Sequence, residues 1–190
     1  SKIWWDLRPH HRLPTLEFRI CDMCTRVEET VCVAAVFQAI VAKLWKLRRD
    51  DVTFRLHPTC LISENKWRAV RYGLDGCLVD LDEEVERPTR EAVRWLVGTF
   101  LDDVLDELGS RAEVEYAYRI LEEGSSADRQ LRVFRQTGEL SAVVDHLLEE
   151  TARGCGPSEG ASGGRAVPGG GPEELSLPAP AAPSRPGSGG

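Results

Sequence analysis

The chain has no G-x-x-x-x-G-K-[ST] loop and no G-x-G-x-x-G turn, so P-loop and Rossmann nucleotide sites are excluded. It has no excess of positive charge. A formal net charge of -7 offers no bulk attraction to DNA, RNA or an anionic membrane, so any phosphate must be held by placed arginines or bridging metal ions. Long apolar runs are missing as well. The best, Val31 to Ala42, contains Gln38, ends at Lys43 and reads as a buried helix, which leads us to expect neither membrane nor nucleic-acid partners. No secretory signal opens the chain and no initiator methionine either. It starts at Ser1 and is at once in "KIWWDLR", from which we expect a partial sequence and a cytoplasmic protein.

Cysteine is present without a secreted framework. The thiols at 21, 24, 32, 60, 77 and 155 have no disulfide-like spacing, and several fall on core positions, so reduced thiols are expected. "CDMC" matches C-x-x-C, but one such pair is a poor zinc signal and lacks a thioredoxin-type setting.

The composition changes at Gly154. From there to Gly190 the chain holds eleven of its 17 glycines and seven of its 11 prolines, with almost no large apolar side chain, so a disordered tail is expected. Residues 1–153 read as one folded region. "KIWWDLR" and "PTLEFRICD" are strand-like, joined by "PHHRLP". Thr25 and Glu28 form a capping box for a helix whose buried stripe would be Val27, Val31, Ala34, Ala35, Val41 and Leu44, closed by basic residues Lys46 to Arg49. A short helix from Ser63 to Gly73 follows, then "GCLVDL" as a strand or extended connection. Beyond it only helices are expected: Pro88 in the first turn of one ending at Gly109, a Ser110/Glu113 capping box for one ending at Gly124, then Ser126–Thr137 and Ser141–Arg153. Strands early and a helical bundle late make an α+β fold.

Alternation assigns the chemistry. Thr15, Glu17, Arg19 and Cys21 share one face of their strand, and Leu16, Phe18 and Ile20 take the packed face. Paired with the first strand, Asp6 and Arg8 would lie beside Glu17 and Arg19. Such a face could be no more than weak cross-strand ion pairs. It could also line a phosphate-and-metal cleft, since Mg²⁺ takes carboxylate oxygens and arginine offers a planar fork to a phosphoryl group.

"IWWDLRPHHRLPTLEFRICDMCTRVEETVCVAAVFQAIV", "ENKWRAVRYGLDG" and "GSSADRQLRVFRQTG", in that order, resemble the glutamate–cysteine ligase type 2 family of bacterial ATP-dependent carboxylate–amine ligases, from about Ile3 to Arg153. The resemblance implies part of a curved antiparallel sheet of the glutamine synthetase/glutamate–cysteine ligase kind, followed by a helical bundle. It implies ATP and Mg²⁺, a glutamate-like carboxylate activated as an acyl phosphate, and a cysteine-like amine that displaces the phosphate. Carried onto this chain, Glu17 is a metal ligand and Arg19 the catalytic arginine on the transferring phosphoryl group. Arg8, Asn65 and Arg68 are further cofactor-binding candidates, with helix packing open for the last two, and Asp6 could reach the same face. His10 and His11 read as exposed loop residues. The family's G-x-E-x-E strand, the source of most metal-binding carboxylates, is not found here, so the expectation is the C-terminal part of a ligase with half an active site. A non-catalytic helical interaction domain is the alternative. A homo-oligomer is compatible with the sequence, which does not set the assembly.

Overall fold

A computed structural model describes residues 5–52 and 56–153. The glycine- and proline-rich segment 154–190, Cys155, and the start of the first expected strand lie outside the described residues.

The expected strand pair forms, but it is short. β1 (Leu7–Pro9) and β2 (Leu16–Phe18) are antiparallel, with Leu7 opposite Phe18, Arg8 opposite Glu17 and Pro9 opposite Leu16. Pairing runs one step further, where the Arg19 N–H donates to the Asp6 carbonyl at 2.7 Å. Pro9 and Pro14 withhold ladder donors at the loop end. His10 organises that loop: its Nδ1 accepts from the N–H groups of Arg12 at 3.2 Å and Leu13 at 3.0 Å, and His11 stacks on it.

α1 (Val27–Arg49) starts one residue later than the capping-box reading places it. Arg26 is the N-cap, and Glu29 accepts from its N–H at 3.4 Å. Thr25 is drawn away from capping because its hydroxyl donates to Ser126 Oγ and accepts from Arg129 Nη2, both at 3.1 Å. The buried stripe differs too. It is Glu29, Cys32, Ala35 and Ala39, while Val27, Val31, Ala34, Val41 and Leu44 face outward. Small side chains let α1 lie close against α5 (Arg111–Glu123), and the bulkier ones are turned away. By length and mean hydropathy (23 residues, 1.6) α1 is apolar enough to cross a bilayer, a correction to the shorter run read from sequence. Its inner face packs on the core.

α2 (Thr59–Tyr72) begins four residues before Ser63 and stops at Gly73, followed by a 3₁₀ turn, Gly73–Asp75. "GCLVDL" holds a strand, β3 (Cys77–Asp80), which pairs with an unexpected β4 (Val85–Pro88) in an antiparallel hairpin. Asp80 makes that turn by accepting from the N–H groups of Asp82 and Glu83. Pro88 therefore ends a strand and caps α3 (Thr89–Trp95) rather than sitting in its first turn. The long helix expected to Gly109 is interrupted by a π-turn, Leu96–Phe100, before α4 (Asp102–Leu108). At the turn Gly98 faces the Tyr118 hydroxyl so closely that a Cβ would sit 2.8 Å from it.

Ser110 stands at the N-cap of α5, as the pattern suggests, but its buried Oγ has no hydrogen-bond partner among the described residues. α6 (Ser126–Thr137) and α7 (Leu140–Ala152) close the fold. The core is Cys32, Ala35 and Ala39 of α1 with Val97, Leu101, Val104, Leu105, Val114 and Ala117. The architecture is mixed, helices with two small antiparallel sheets.

Candidate functional site

The β1–β2 ribbon has two unlike faces. On one, Arg8 Nε donates to Glu17 Oε2 at 2.9 Å, with a second bond from Arg8 Nη2 to the same oxygen. Arg19 Nη1 donates to the other oxygen, Oε1, at 3.1 Å. One carboxylate thus lies between two guanidiniums, in a register that alternation allows and does not fix. The hydrogen bond from Arg8 is the main cause that holds the Glu17 carboxyl below its ordinary value, so Glu17 is ionised at neutral pH.

Asp6 belongs to the same patch and brings a residue that the sequence reading missed. Lys66 of α2 donates from Nζ to both Asp6 carboxylate oxygens, each at 2.7 Å. This pair ties α2 to β1 beside Arg19. The adjacent candidates in α2 are engaged elsewhere. Asn65 Nδ2 donates to the Val79 carbonyl at 2.8 Å, and its Oδ1 accepts from the Val79 N–H at 2.7 Å. Both ends of that amide hold β3 to α2. Arg68 donates to Glu64 and to Glu86, each at 2.8 Å. Asn65 is thus bound to the β3 backbone, and Arg68 is held by carboxylates on α2 and β4.

The other ribbon face was expected to be core, and this is corrected. Leu16 and Ile20 are exposed, and Phe18 stacks on Phe37 of α1 at 4.1 Å. Two short strands cover too little of α1 to close over them. Instead a groove of about 1330 Å³ runs between β2, the loop after it and the outward face of α1. It is lined by Leu16, Phe18, Met23, Val31, Val41 and Trp45 among others, and includes neither Glu17 nor Arg19. From β2 the groove takes Leu16 and Phe18 and leaves out the charged pair.

As a Mg²⁺ ligand Glu17 is right in kind, a hard anionic oxygen donor. Among the described residues no group of three or more His, Cys, Asp or Glu side chains is placed to hold a metal. Glu17 would be one ligand of such a shell, and a cation there would compete with Arg8 and Arg19. The arginine pair fits an oxyanion better than the carboxylate fits a cation unaided. Cys21 and Cys24 do not make a stronger metal case, since burial pushes both thiols up.

A second polar cluster joins four helices. Arg26 and Arg129 are buried with Glu29 and Glu150. Arg26 bonds Glu150 and Glu123, and Arg129 Nη2 lies 2.6 Å from Glu29. Arg153 reaches Glu150 at 2.5 Å. Burial alone would raise Glu150, and Arg26 with the neighbouring arginines more than reverses this. Arg26, Arg129 and Arg153, with Arg119 on Glu123, meet Glu29, Glu123 and Glu150 at the junction of α1, α5, α6 and α7. A charge on an otherwise apolar stripe was the one available signal: Glu29 precedes Cys32, Ala35 and Ala39 at helical spacing.

Fold and site together define an α+β chain with an arginine-flanked carboxylate on a two-stranded ribbon. The family model for glutamate-cysteine ligase family 2 matches residues 1–146, and the chain belongs to that family. Relatives provisionally named glutamate–cysteine ligase 2 include one from Solibacter usitatus (strain Ellin6076), 54% identical over 154 residues, covering 81% of this chain and 40% of the relative. One from Chloroflexus aurantiacus (strain ATCC 29366 / DSM 635 / J-10-fl) is 52% identical over 154 residues, with 81% and 39% covered. One from Roseiflexus sp. (strain RS-1) is 54% identical, with 81% and 40% covered. The chain thus spans about two fifths of the length of the curated relatives it matches.

Proposed function

We propose that this chain carries the phosphate-handling ribbon of an ATP- and Mg²⁺-dependent carboxylate–amine ligase of the glutamate–cysteine type, working in the cytoplasm. The observation that carries the reading is the Arg8–Glu17–Arg19 cluster, one carboxylate between two guanidiniums, in a member of this family. In the reaction a glutamate-like carboxylate oxygen attacks the γ-phosphorus of ATP, ADP leaves, and an acyl phosphate forms. A cysteine-like amine then attacks the acyl carbon, phosphate leaves, and an amide with one released proton remains. When bound, Mg²⁺ neutralises charge on the nucleotide's phosphates. Arg19, with Arg8 beside it, stabilises the equatorial oxygens of the transferring group, where charge spreads in a loose transition state. Glu17, which orients both arginines, would offer its one carboxylate to the metal. Asp6 and Lys66 fix the end of β1 from which the patch is built. The ribbon would be part of a larger curved antiparallel sheet.

The test is ADP release in the presence of glutamate, cysteine and Mg²⁺, by this chain joined to the rest of a family polypeptide. Glu17→Gln should lose at least a hundredfold, an effect of about 2.7 kcal/mol or more on the barrier. Turnover equal to the parent would remove Glu17 from the site. The apolar groove against α1, whose lining leaves out Glu17 and Arg19, favours a second reading, a non-catalytic interaction domain. Absence of Mg-ATP binding in calorimetry of the chain, together with inactivity of the joined polypeptide, would favour it.

A further inference from the structure

α2 meets the rest of the fold through two neighbouring faces. Asn65 and Arg68, three residues apart, share the first: the Asn65 amide bonds both backbone groups of Val79, and Arg68 reaches Glu86 on β4. Lys66, about 100° further round the helix, belongs to the second and is carried to the ribbon. The ladder that sets Arg8 opposite Glu17 also brings Asp6 opposite Arg19, whose N–H donates to the Asp6 carbonyl. This ribbon face therefore alternates in sign in both directions, Asp6 then Arg8 on the β1 side and Glu17 then Arg19 on the β2 side. Those two carboxylates and two guanidiniums balance. Lys66, bonded through Nζ to both Asp6 oxygens at 2.7 Å, adds a third cation, so the groups that bond one another here have one positive charge in excess.

We propose that Lys66 is a nucleotide-binding residue, whose ammonium leaves Asp6 for an oxygen of the terminal phosphates of ATP beside Arg19. The inference rests on the reading of this patch as the phosphate-handling ribbon of a ligase. Three observations carry it. First, the excess cation gives the patch the sign that a polyphosphate needs, and Lys66 is the group that supplies it. Second, the Lys66–Asp6 pair is open to solvent, with side chains 45% and 52% exposed. An exposed lysine–carboxylate pair contributes little to stability, so exchanging Asp6 for a phosphate oxygen costs little. Third, the root of the side chain is fixed while its tip is free. The Asn65 amide next to it holds this turn of α2 against β3, and the four-carbon stem swings the ammonium without backbone movement. Arg68, on the same helix, is by contrast shared between Glu64 and Glu86. A compact ammonium also suits a phosphate oxygen as a point charge, complementing the planar forks of Arg8 and Arg19.

The experiment is calorimetry with Mg-ATP on the joined polypeptide of the turnover test, as parent, Lys66→Met, Lys66→Arg and Asp6→Asn. Lys66→Met should weaken binding by roughly tenfold or more, the loss of one charge-assisted hydrogen bond. Lys66→Arg, which keeps the charge, should recover most of it. Asp6→Asn cuts the same ion pair but keeps the ammonium and removes the anion that competes with phosphate, so it should bind at least as tightly as the parent. If Lys66 only ties α2 to β1, Lys66→Met and Asp6→Asn will weaken binding alike, and that result overturns the proposal. A second readout is acetylation by limiting acetic anhydride, followed by mass spectrometry. Mg-ATP should slow modification of Lys66 severalfold, with Lys43 and Lys46, both paired with Asp103, as internal references. Unchanged Lys66 reactivity at saturating nucleotide overturns the proposal. So does a Lys66→Met variant that binds Mg-ATP normally and needs only more glutamate, which would assign the ammonium to the carboxylate substrate. A parent that binds Mg-ATP no differently from Lys66→Met refutes this inference alone, whereas a parent that does not bind it refutes the ligase reading and this inference together.

Discussion

Arg8 and Glu17 stand directly opposite each other across the β1–β2 ladder, and two donors of the Arg8 guanidinium converge on one Glu17 oxygen. This leaves the other oxygen to Arg19, so a single carboxylate sets the spacing of two cations. Arg8 is the leading cause of the lowered Glu17 pKa. Arg8→Ala should therefore move the Glu17 titration upward, toward its ordinary value of 4.5, in carboxyl-detected NMR. An unmoved titration would mean that Arg19 and the backbone, rather than Arg8, hold the carboxylate.

Much of this patch was legible in the sequence, because strand alternation is a strict period of two and the intervening loop is short. The α1 stripe was not. Both sides of that helix are apolar, and hydropathy points to Val31 and Val41, whereas packing selected the small residues Cys32, Ala35 and Ala39. β4 was missed because "VERP" has one β-branched residue and ends in proline, and its pairing depends on the Asp80 turn. The buried charge cluster rests on contacts such as Arg26 to Glu150, 124 residues apart, which no local pattern encodes.

The faces of α1 can be told apart by substitution. Ala39 is fully buried, so Ala39→Leu should overpack the core and cost about 1–3 kcal/mol in urea unfolding. Val31→Ala, on the outer stripe, should stay within about 0.5 kcal/mol in the isolated chain. The reverse order would restore the stripe that hydropathy favours.

Arg129 is placed to hold three helices at once. Its guanidinium faces Glu29 of α1 and Glu150 of α7, and donates to the Gly124 carbonyl at 2.9 Å. Arg129→Met leaves Glu29 buried without its cation and should cost about 3–5 kcal/mol in urea unfolding. Adding Glu29→Leu should recover part of that loss, because an apolar pair avoids the uncompensated charge. Additive losses in the double variant would show that the two side chains act independently.

Gly124 joins α5 to α6 with φ 91° and ψ 163°, a conformation that is nearly glycine's alone. A Cβ here would also meet the Asp128 Cβ at 2.9 Å, beside the carboxylate that accepts from the Ser125 N–H and hydroxyl. Gly124→Ala should cost about 1–3 kcal/mol. Gly138, at φ 73° with no atom near its missing Cβ, should tolerate alanine at about 1 kcal/mol. Equal losses at the two sites would remove the Asp128 contact as a cause.

The same cluster sets a direction for acid stability. The Arg26 hydrogen bond, helped by Arg119, holds Glu123 at about 2 against an ordinary 4.5, and Glu150 is lowered as well. Both carboxyls take up protons more readily in the unfolded chain than in the folded one. Their stabilising contribution is therefore complete above about 4.5 and is lost as pH falls from there toward about 2. Urea midpoints should be nearly flat from neutral pH down to that upper limit, as far as these two groups are concerned, and then decline. Arg26→Met removes the principal cause of the Glu123 shift, so the variant should be less stable at neutral pH and lose less on acidification. A variant whose acid decline is as steep as the parent's would place the responsible carboxylates outside the Arg26 cluster.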